Sequence, residues 1–551
     1  MFRIVIAMSL AALLCACKTP QEPDVLSADI AVYGGTSAGV VAAIQAAKEG
    51  KSVVLLAPET HLGAMSSSGL GFTDSGKTRT IGGLAREFYH RIWKEYQKPE
   101  QWKFERRSQF SAGGQGTRSI DDEHELMWIF EPHVATRVFE DWVREYPQII
   151  LVRGEYLNRE SGVEKVGGRI KSITTLNNLK VCAKVFIDAT FEGDLMAASG
   201  CKYAVGRESN SQYGEDFNGY RATLEHNGHH FKKDVDAHKI KGDRNSGLLK
   251  YVSDETPLPI GTGDDRIQAY CYRMCLTDEP SNMIEIGKPE NYNPEDYELY
   301  IRYAETEPDF FPLIVSTMPN RKTDCNNKGA FSIDFIGENY AYPEADYAQR
   351  AKIAKAHKDY QLGLLYFWKT DKRVPAHVRE KIAKFGLPKD EFLQSENWPF
   401  YLYVREARRM LGSYVMTQRN CQNTADTPKS VGMGSYSLDS HNASRYEDDC
   451  GFVQNEGDTQ VRLKEPYKIS YGAIIPRKAD CENLLVPVAC SATHIAYGSI
   501  RMEPVFMILG QSAAVAAAMA STSNSAVQDV DYGKLSSKLI ADGQILENPR
   551  K

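Results

Sequence analysis

The stretch from Ala28 to Glu59, ADIAVYGGTSAGVVAAIQAAKEGKSVVLLAPE, restricts the possible folds more than any other part of this chain. Asp29 to Tyr33 reads as a short strand, Gly34, Gly35 and Gly39 as a turn, Ala38 to Lys48 as an alanine-rich helix closed at Gly50, and Ser52 to Leu56 as a second strand. A βαβ unit of this kind aims turn amides and a helix N-terminus at a pyrophosphate, and small residues let the backbone approach it. Gly34, Gly35, Thr36, Ser37, Ala38 and Gly39 are therefore the expected dinucleotide cradle. Two positions depart from the fingerprint. Thr36 stands where G-x-G-x-x-G/A has its second glycine, placing a Cβ toward the phosphate, and Ala57 replaces the acidic ribose partner, leaving Glu59 as the nearby carboxylate. A glycine-rich turn in an α/β unit that binds nothing fits the same residues.

Met1 to Ala16 reads as a targeting segment. Arg3 precedes an apolar run, Ile4 to Leu14, that is far shorter than the ~20 residues that span a bilayer. Leu14-Cys15-Ala16-Cys17 resembles the bacterial lipobox, which implies lipidation at Cys17, a tether over 18–27 and a location in the cell envelope outside the cytoplasm. A soluble secreted chain cut nearby is the alternative. Membrane contact is expected through the lipid alone, because no later stretch reads as a span. A net charge of −6 over 551 residues offers no long basic surface for nucleic acid. The nine cysteines beyond the signal are odd in number and scattered, so they form no disulfide framework. Cys271 and Cys275 lie one helical turn apart without a second such pair, and no metal is expected.

Downstream, GGTSAG is joined by HLGAM (61–65), SSGLGFTD (67–74) and IGGLAREFY (81–89). This combination resembles the FAD-dependent oxidoreductase family with a glutathione-reductase-like flavin fold, in a branch common among secreted bacterial proteins. The resemblance implies FAD as cofactor, with Gly63, Ala64 and Met65 beside its pyrophosphate and flavin; Ala64 replaces a usual glycine. It also implies a second contact segment at Asp188, Ala189, Thr190, Gly193 and Asp194, where Phe191 replaces a glycine. A third follows at Gly510, Gln511 and Ser512, in a helix that starts under the pyrimidine end of the ring. Without the resemblance, Gly193-Asp194 reads as a plain helix cap. Between these motifs the spacing predicts helices over 81–97 and 132–145, a strand over 149–154, hairpin arms over 163–175 and 178–187, and strands over 469–476 and 483–488.

The expected fold class is α/β: a discontinuous Rossmann-like FAD-binding domain with a parallel sheet, from 28–205 and 441–525, plus an inserted α+β substrate region, 206–440. A signal (1–17), a linker (18–27) and a tail (526–551) complete the chain. His494 is the expected base for hydride transfer, with His441 as its rival, Arg501 orienting substrate, and Glu503 fixing Arg501 or His494. Arg405, on a predicted helix over 403–409 with Arg408 on the same face, is a candidate for anion binding. Structural readings fit each of these: a satisfied core histidine, ion pairs, and tyrosines 272, 340, 342, 401 and 403 as core residues rather than sugar platforms. The expected function is hydride transfer between a small polar organic substrate, a carbohydrate hydroxyl among the candidates, and FAD. No second dinucleotide fingerprint identifies the electron partner. Two alternatives stand beside it: a binding protein using flavin as scaffold, and a polysaccharide lyase using Arg405 or Arg408 with a His or Tyr base.

Overall fold

The computed structural model describes residues 24–111 and 119–549. The signal, the lipobox cysteine and most of the linker lie outside the described residues. In chain order the elements that position the site are β1 (Val25–Tyr33), α1 (Ser37–Lys48), β2 (Val53–Ala57), α2 (Gly83–Glu95), α3 (Pro132–Arg144), β3 (Ile149–Arg153), β4 (Val163–Val166), β5 (Arg169–Thr174), β6 (Lys180–Asp188) and α4 (Asp194–Ala198). Then follow β7 (Met274–Thr277), β8 (Leu313–Met318), β9 (Lys322–Asn327), α5 (Tyr347–Thr370), β10 (Leu438–Ser440), β11 (Thr459–Val461), β12 (Leu484–Leu485), α6 (His494–Ile500) and α7 (Glu503–Ser523).

The main sheet has the order β3-β2-β1-β6-β5-β4. β1 is its parallel centre, registered on β2 through Ile30 to Tyr33 and on β6 through Val25 to Tyr33. The far edge of β6 is shared: β5 runs antiparallel along its first half, and β12 runs parallel along Phe186 and Ile187. The predicted arm 163–175 is itself a tight hairpin, β4 and β5, because Gly167 and Gly168 at φ +55° and +82° turn the chain back there. The predicted 469–476 strand lies earlier and is shorter, at Tyr467–Ser470, with a 3-10 turn over Tyr471–Ala473, and the predicted 483–488 strand shrinks to Leu484–Leu485. A smaller antiparallel sheet, β7-β9-β8, and the long helix α5 belong to the middle of the chain.

α1 is buried along nearly its whole length because α7 covers the side it turns away from the sheet. The contact is close enough to require glycine: a Cβ on Gly510 would lie 2.4 Å from the Ala38 carbonyl oxygen. Contrary to the sequence expectation, α7 is long and apolar enough to cross a membrane, but 89% of that window is buried inside the protein. It is a core helix, and burial of its alanine face on α1 explains its composition.

Candidate active site

A cleft of about 480 Å³ opens at the carboxyl ends of β1 and β2, bounded by Gly34, Thr36, Glu59, Thr190, Phe191 and Asp194 on the sheet side. Tyr342, Tyr347 and Arg350 face them, together with the segment Phe400 to Leu402 and Val404. This is the strand-end crevice in which doubly wound sheets bind ligands.

The cradle is built for close approach. Gly34 has φ +114°, and a Cβ there would lie 2.7 Å from the Ala189 carbonyl carbon; on Gly39 it would lie 1.9 Å from the Gly34 oxygen. Thr36 does not spoil it. Its Oγ1 donates to the Ala189 oxygen at 2.7 Å and accepts from Gly39 N at 3.2 Å, so the side chain caps α1 and pins the turn to the end of β6. Glu59 is half-buried on the cleft wall, where desolvation and then Glu192 push its carboxyl up to about 7. Its hydroxyl partner is Tyr401, at 3.4 Å. That leaves acceptor capacity matching ribose hydroxyls, so the donor and acceptor set of the cleft fits FAD.

Other predicted cofactor residues act indirectly. Asp188 accepts from Thr190 N at 3.0 Å, Thr190 Oγ1 at 2.7 Å and Met196 N at 2.8 Å, organising the return loop. Asp194 is held by Arg350 at 2.6 and 2.9 Å, Arg408 at 2.9 Å and Arg159 at 3.2 Å, so its charge is committed to protein. Ala189 and Gly193 shape the same loop, Gly193 at φ +65°. Gly63 and Ala64 take φ +94° and +44°, the conformation for which glycine is usual at position 64, and Met65 is fully buried behind them. Gly510, Gln511 and Ser512 are not at a helix start. They lie mid-helix in α7, where Gln511 accepts from Leu84 N at 2.8 Å and Ser512 donates to the Val431 oxygen at 2.6 Å. The start of α7 is Glu503-Pro504, with proline pre-set for the first turn.

Glu503 fixes neither Arg501 nor His494. It accepts from Ser37 Oγ at 2.6 Å and Ser66 Oγ at 3.0 Å, beside the N-terminus of α1, and burial pushes its carboxyl up to about 7.

The remaining chemistry-bearing residues gather behind the segment 401–405. That segment is extended rather than helical, because Tyr403 N donates to the Cys271 oxygen at 2.9 Å. Val404 faces the cleft, while its neighbours Tyr403 and Arg405 reach Arg501 and Asp334. His494 Nδ1 donates to Glu406 Oε1 at 2.8 Å and its Nε2 accepts from Ser440 Oγ at 3.0 Å, so both nitrogens are occupied. His441 Nδ1 donates to Asp334 Oδ2 at 2.7 Å, and the ionic partner nearest its Nε2 is Asp439 Oδ2 at 3.9 Å. Burial and then Arg405 hold the His441 imidazole below its ordinary range, with Asp334 opposing them. Burial works to raise Asp334, but Arg405 and His441 hold it well below the usual carboxylate range. Arg405 is spent on Asp334 at 3.1 Å and on the Ala269 oxygen; Arg408 binds Glu344 and Asp194; Arg501 binds Tyr403 at 2.7 Å and Asp439 at 3.1 Å. With both arginines so engaged, neither stands ready to neutralise a uronate carboxylate, as the lyase alternative requires.

Sequence reasoning missed Glu406, Asp334 and Asp439 as members of this network. Asp439 lies two residues before His441 and Glu406 directly follows Arg405, both of these being sequence candidates, whereas Asp334 comes from a distant part of the chain.

A protein-family model described as FAD dependent oxidoreductase matches residues 29–539. A comparison with curated proteins gave no match. Solved structures with similarity include AlpK, at 17% identity over 33% of this chain and 35% of that one, TM-score 0.23. The L-proline dehydrogenase from P. horikoshii aligns at 17% identity over 35% and 59%, TM-score 0.22. The T. acidophilum thioredoxin reductase aligns at 18% identity over 34% and 40%, TM-score 0.18. The chain thus spans between about a third and three fifths of the length of these structures.

Proposed function

The chain belongs to the FAD-dependent oxidoreductase family, and from that premise we propose that it oxidises a hydroxyl-bearing carbon of a small polar organic substrate outside the cytoplasm, with His441 as the base. When bound, FAD supplies the two-electron acceptor for the hydride of that carbon. Gly34 to Gly39, Glu59, Gly63 to Met65 and the loop 188–194 would hold it.

One observation carries the choice of His441 over His494. His441 has its Nδ1 anchored by Asp334 and an Nε2 without a hydrogen bond to protein among the described residues, on a side chain 9% exposed, whereas both nitrogens of His494 are engaged. An anchored Nδ1 fixes the tautomer that leaves Nε2 as the acceptor, and an imidazole held below its ordinary pKa is unprotonated at neutral pH. Arg405 and Asp334 then act as positioning residues, and Arg501 with Tyr403 and Asp439 as the adjoining polar wall.

A carbohydrate hydroxyl is the favoured target, supported by the extracytoplasmic location that the sequence of residues 1–17 implies. Lipid anchoring through Cys17 would place the enzyme on the cell envelope. The electron partner is an oxidant other than NAD(P), since no second cradle of the GGTSAG type occurs in the sequence.

The visible spectrum of the purified mature chain, followed by anaerobic screening of sugars, polyols and hydroxy acids for bleaching of the flavin bands, tests this reading. Bleaching by a hydroxylated substrate, lost in His441→Asn and retained in part by His494→Asn, is the expected result. A chain that stays colourless with excess FAD overturns it.

A further inference from the structure

His229, on an irregular stretch of the middle region, faces His441. Their rings are 6.3 Å apart between centroids and within 25° of parallel. Each imidazole has a buried carboxylate at its Nδ1. Nδ1 of His441 donates to Asp334, and Nδ1 of His229 lies 3.3 Å from Asp458 Oδ1 and equally 3.3 Å from Gln460 Nε2. Asp458 is itself fully buried and fixed by Gly228 N at 2.6 Å and by Gln460 Nε2. The main chain of His229 is strapped to the neighbour of His441: its oxygen accepts from Asn442 Nδ2 at 3.1 Å and from Asn455 Nδ2 at 2.8 Å. Neither Nε2 has a hydrogen bond to protein among the described residues, and the side chains keep 15% and 9% of their exposure.

From this juxtaposition we infer that His229 and His441 form a two-imidazole clamp on one oxygen of the substrate, an alcohol that becomes a carbonyl, with His229 as a second catalytic residue. Hydrogen bonds of about 3 Å from each ring suffice for one oxygen to reach both. In the forward direction the hydroxyl O–H bond breaks and its proton passes to His441 Nε2. The electron pair left on oxygen would form the C=O bond as the hydride of the C–H bond leaves for the two-electron acceptor that FAD would supply when bound, and His229 Nε2–H would donate to the oxygen throughout. Opposite charge tendencies suit the two roles. Despite the burial that works against it, His229 is raised above its ordinary value, first by Asp458 and then by Asp334 and Asp439, whereas His441 is lowered by burial and Arg405. A pair of groups whose surroundings push them apart is the usual basis of an acid and base assignment.

This inference rests on the oxidoreductase reading, but its test does not require turnover. The FAD-loaded full chain, labelled with [13Cε1]-histidine, would be titrated by NMR as wild type, His229→Asn and His441→Asn; either variant suffices to assign the pair. In the wild type the His229 signal is expected to titrate at higher pH than His441. In His229→Asn the His441 midpoint should rise by about half a unit or more, as a neighbouring positive charge is lost. An unmoved His441 midpoint in a folded, FAD-containing His229→Asn chain overturns the clamp, as does a wild type in which the two titrate together. Failure of the oxidoreductase reading looks different: no flavin bands, or no bleaching by any hydroxylated substrate, with the coupling between the imidazoles intact.

Discussion

His494 and Glu406 form a closed pair: Nδ1 of the imidazole is 2.8 Å from one carboxylate oxygen and 2.9 Å from the other, with both side chains almost entirely out of water. Burial works to raise Glu406, but His494 and then Arg409 hold its carboxyl near 2. Removing one partner of a buried pair strands the other charge. His494→Ala is therefore expected to lower stability by about 3 kcal/mol, read by denaturant unfolding, and to leave any residual turnover with an unchanged pH profile. A variant as stable as the wild type but inactive would restore His494 to the chemistry.

His441→Asn should behave in the opposite way. Asparagine can keep a hydrogen bond to Asp334 but cannot take a proton, so turnover should fall by about 10²- to 10⁴-fold while melting temperature and flavin spectrum stay near wild type. The check is stopped-flow bleaching with the substrate found by the screen.

Glu59 is expected to give FAD binding a pH dependence. An ionised carboxylate accepts ribose hydroxyls better than a protonated one, and Glu59 titrates near 7 in the apo protein. FAD affinity should weaken as pH falls through about 7. Glu59→Gln should flatten that dependence and weaken binding about 10-fold at pH 8. Quenching of FAD fluorescence on titration with apoprotein reads both effects; superimposable curves for the two chains would exclude Glu59 as the ribose partner.

Glu503 acts on stability with a definite sign. Its folded value, raised by burial to about 7, lies above an unfolded value near 4.5. The contribution is therefore present in full below the unfolded value and is lost as pH rises from there through about 7. Apo protein should lose up to roughly 3 kcal/mol over that window from this group, and Glu503→Gln should remove the slope and be the more stable chain at pH 8. Unfolding free energies at pH 5, 6, 7 and 8 for both chains decide it.

Ala64 holds φ +44° without being glycine. Relief of that left-handed strain should outweigh the extra freedom of glycine in the unfolded chain, giving Ala64→Gly a net gain of about 0.5–1 kcal/mol. Gly63→Ala should be the reverse and larger, since the new Cβ would lie 2.4 Å from the Phe139 ring. Paired denaturation curves test both.

The βαβ unit was legible because everything that defines it is local: strand, glycine turn, helix and strand fall within about thirty residues, and Thr36 proved to be a cap that the turn can use. The residues around His441 were not, because Asp334, Arg405, His229 and Asp458 meet only through tertiary packing. The segment 403–409 misled because its arginines repeat at helical spacing, while pairing of Tyr403 with Cys271 keeps it extended. α7 starts earlier than its alanine run after Gly510 suggests, because Pro504 is the better start signal.

The seating of α7 on α1 fixes when this protein can acquire its cofactor. Ser37 and Glu503, which meet at that seam, are 466 residues apart in the chain. During synthesis the glycine turn leaves the ribosome long before the helix that backs it, whose Glu503 lies that far downstream of Ser37. Contacts this distant are slow to form and depend on everything between them. Cofactor capture is thus expected to wait for α7, and a chain interrupted before residue 503 carries the complete fingerprint without the helix that packs behind it.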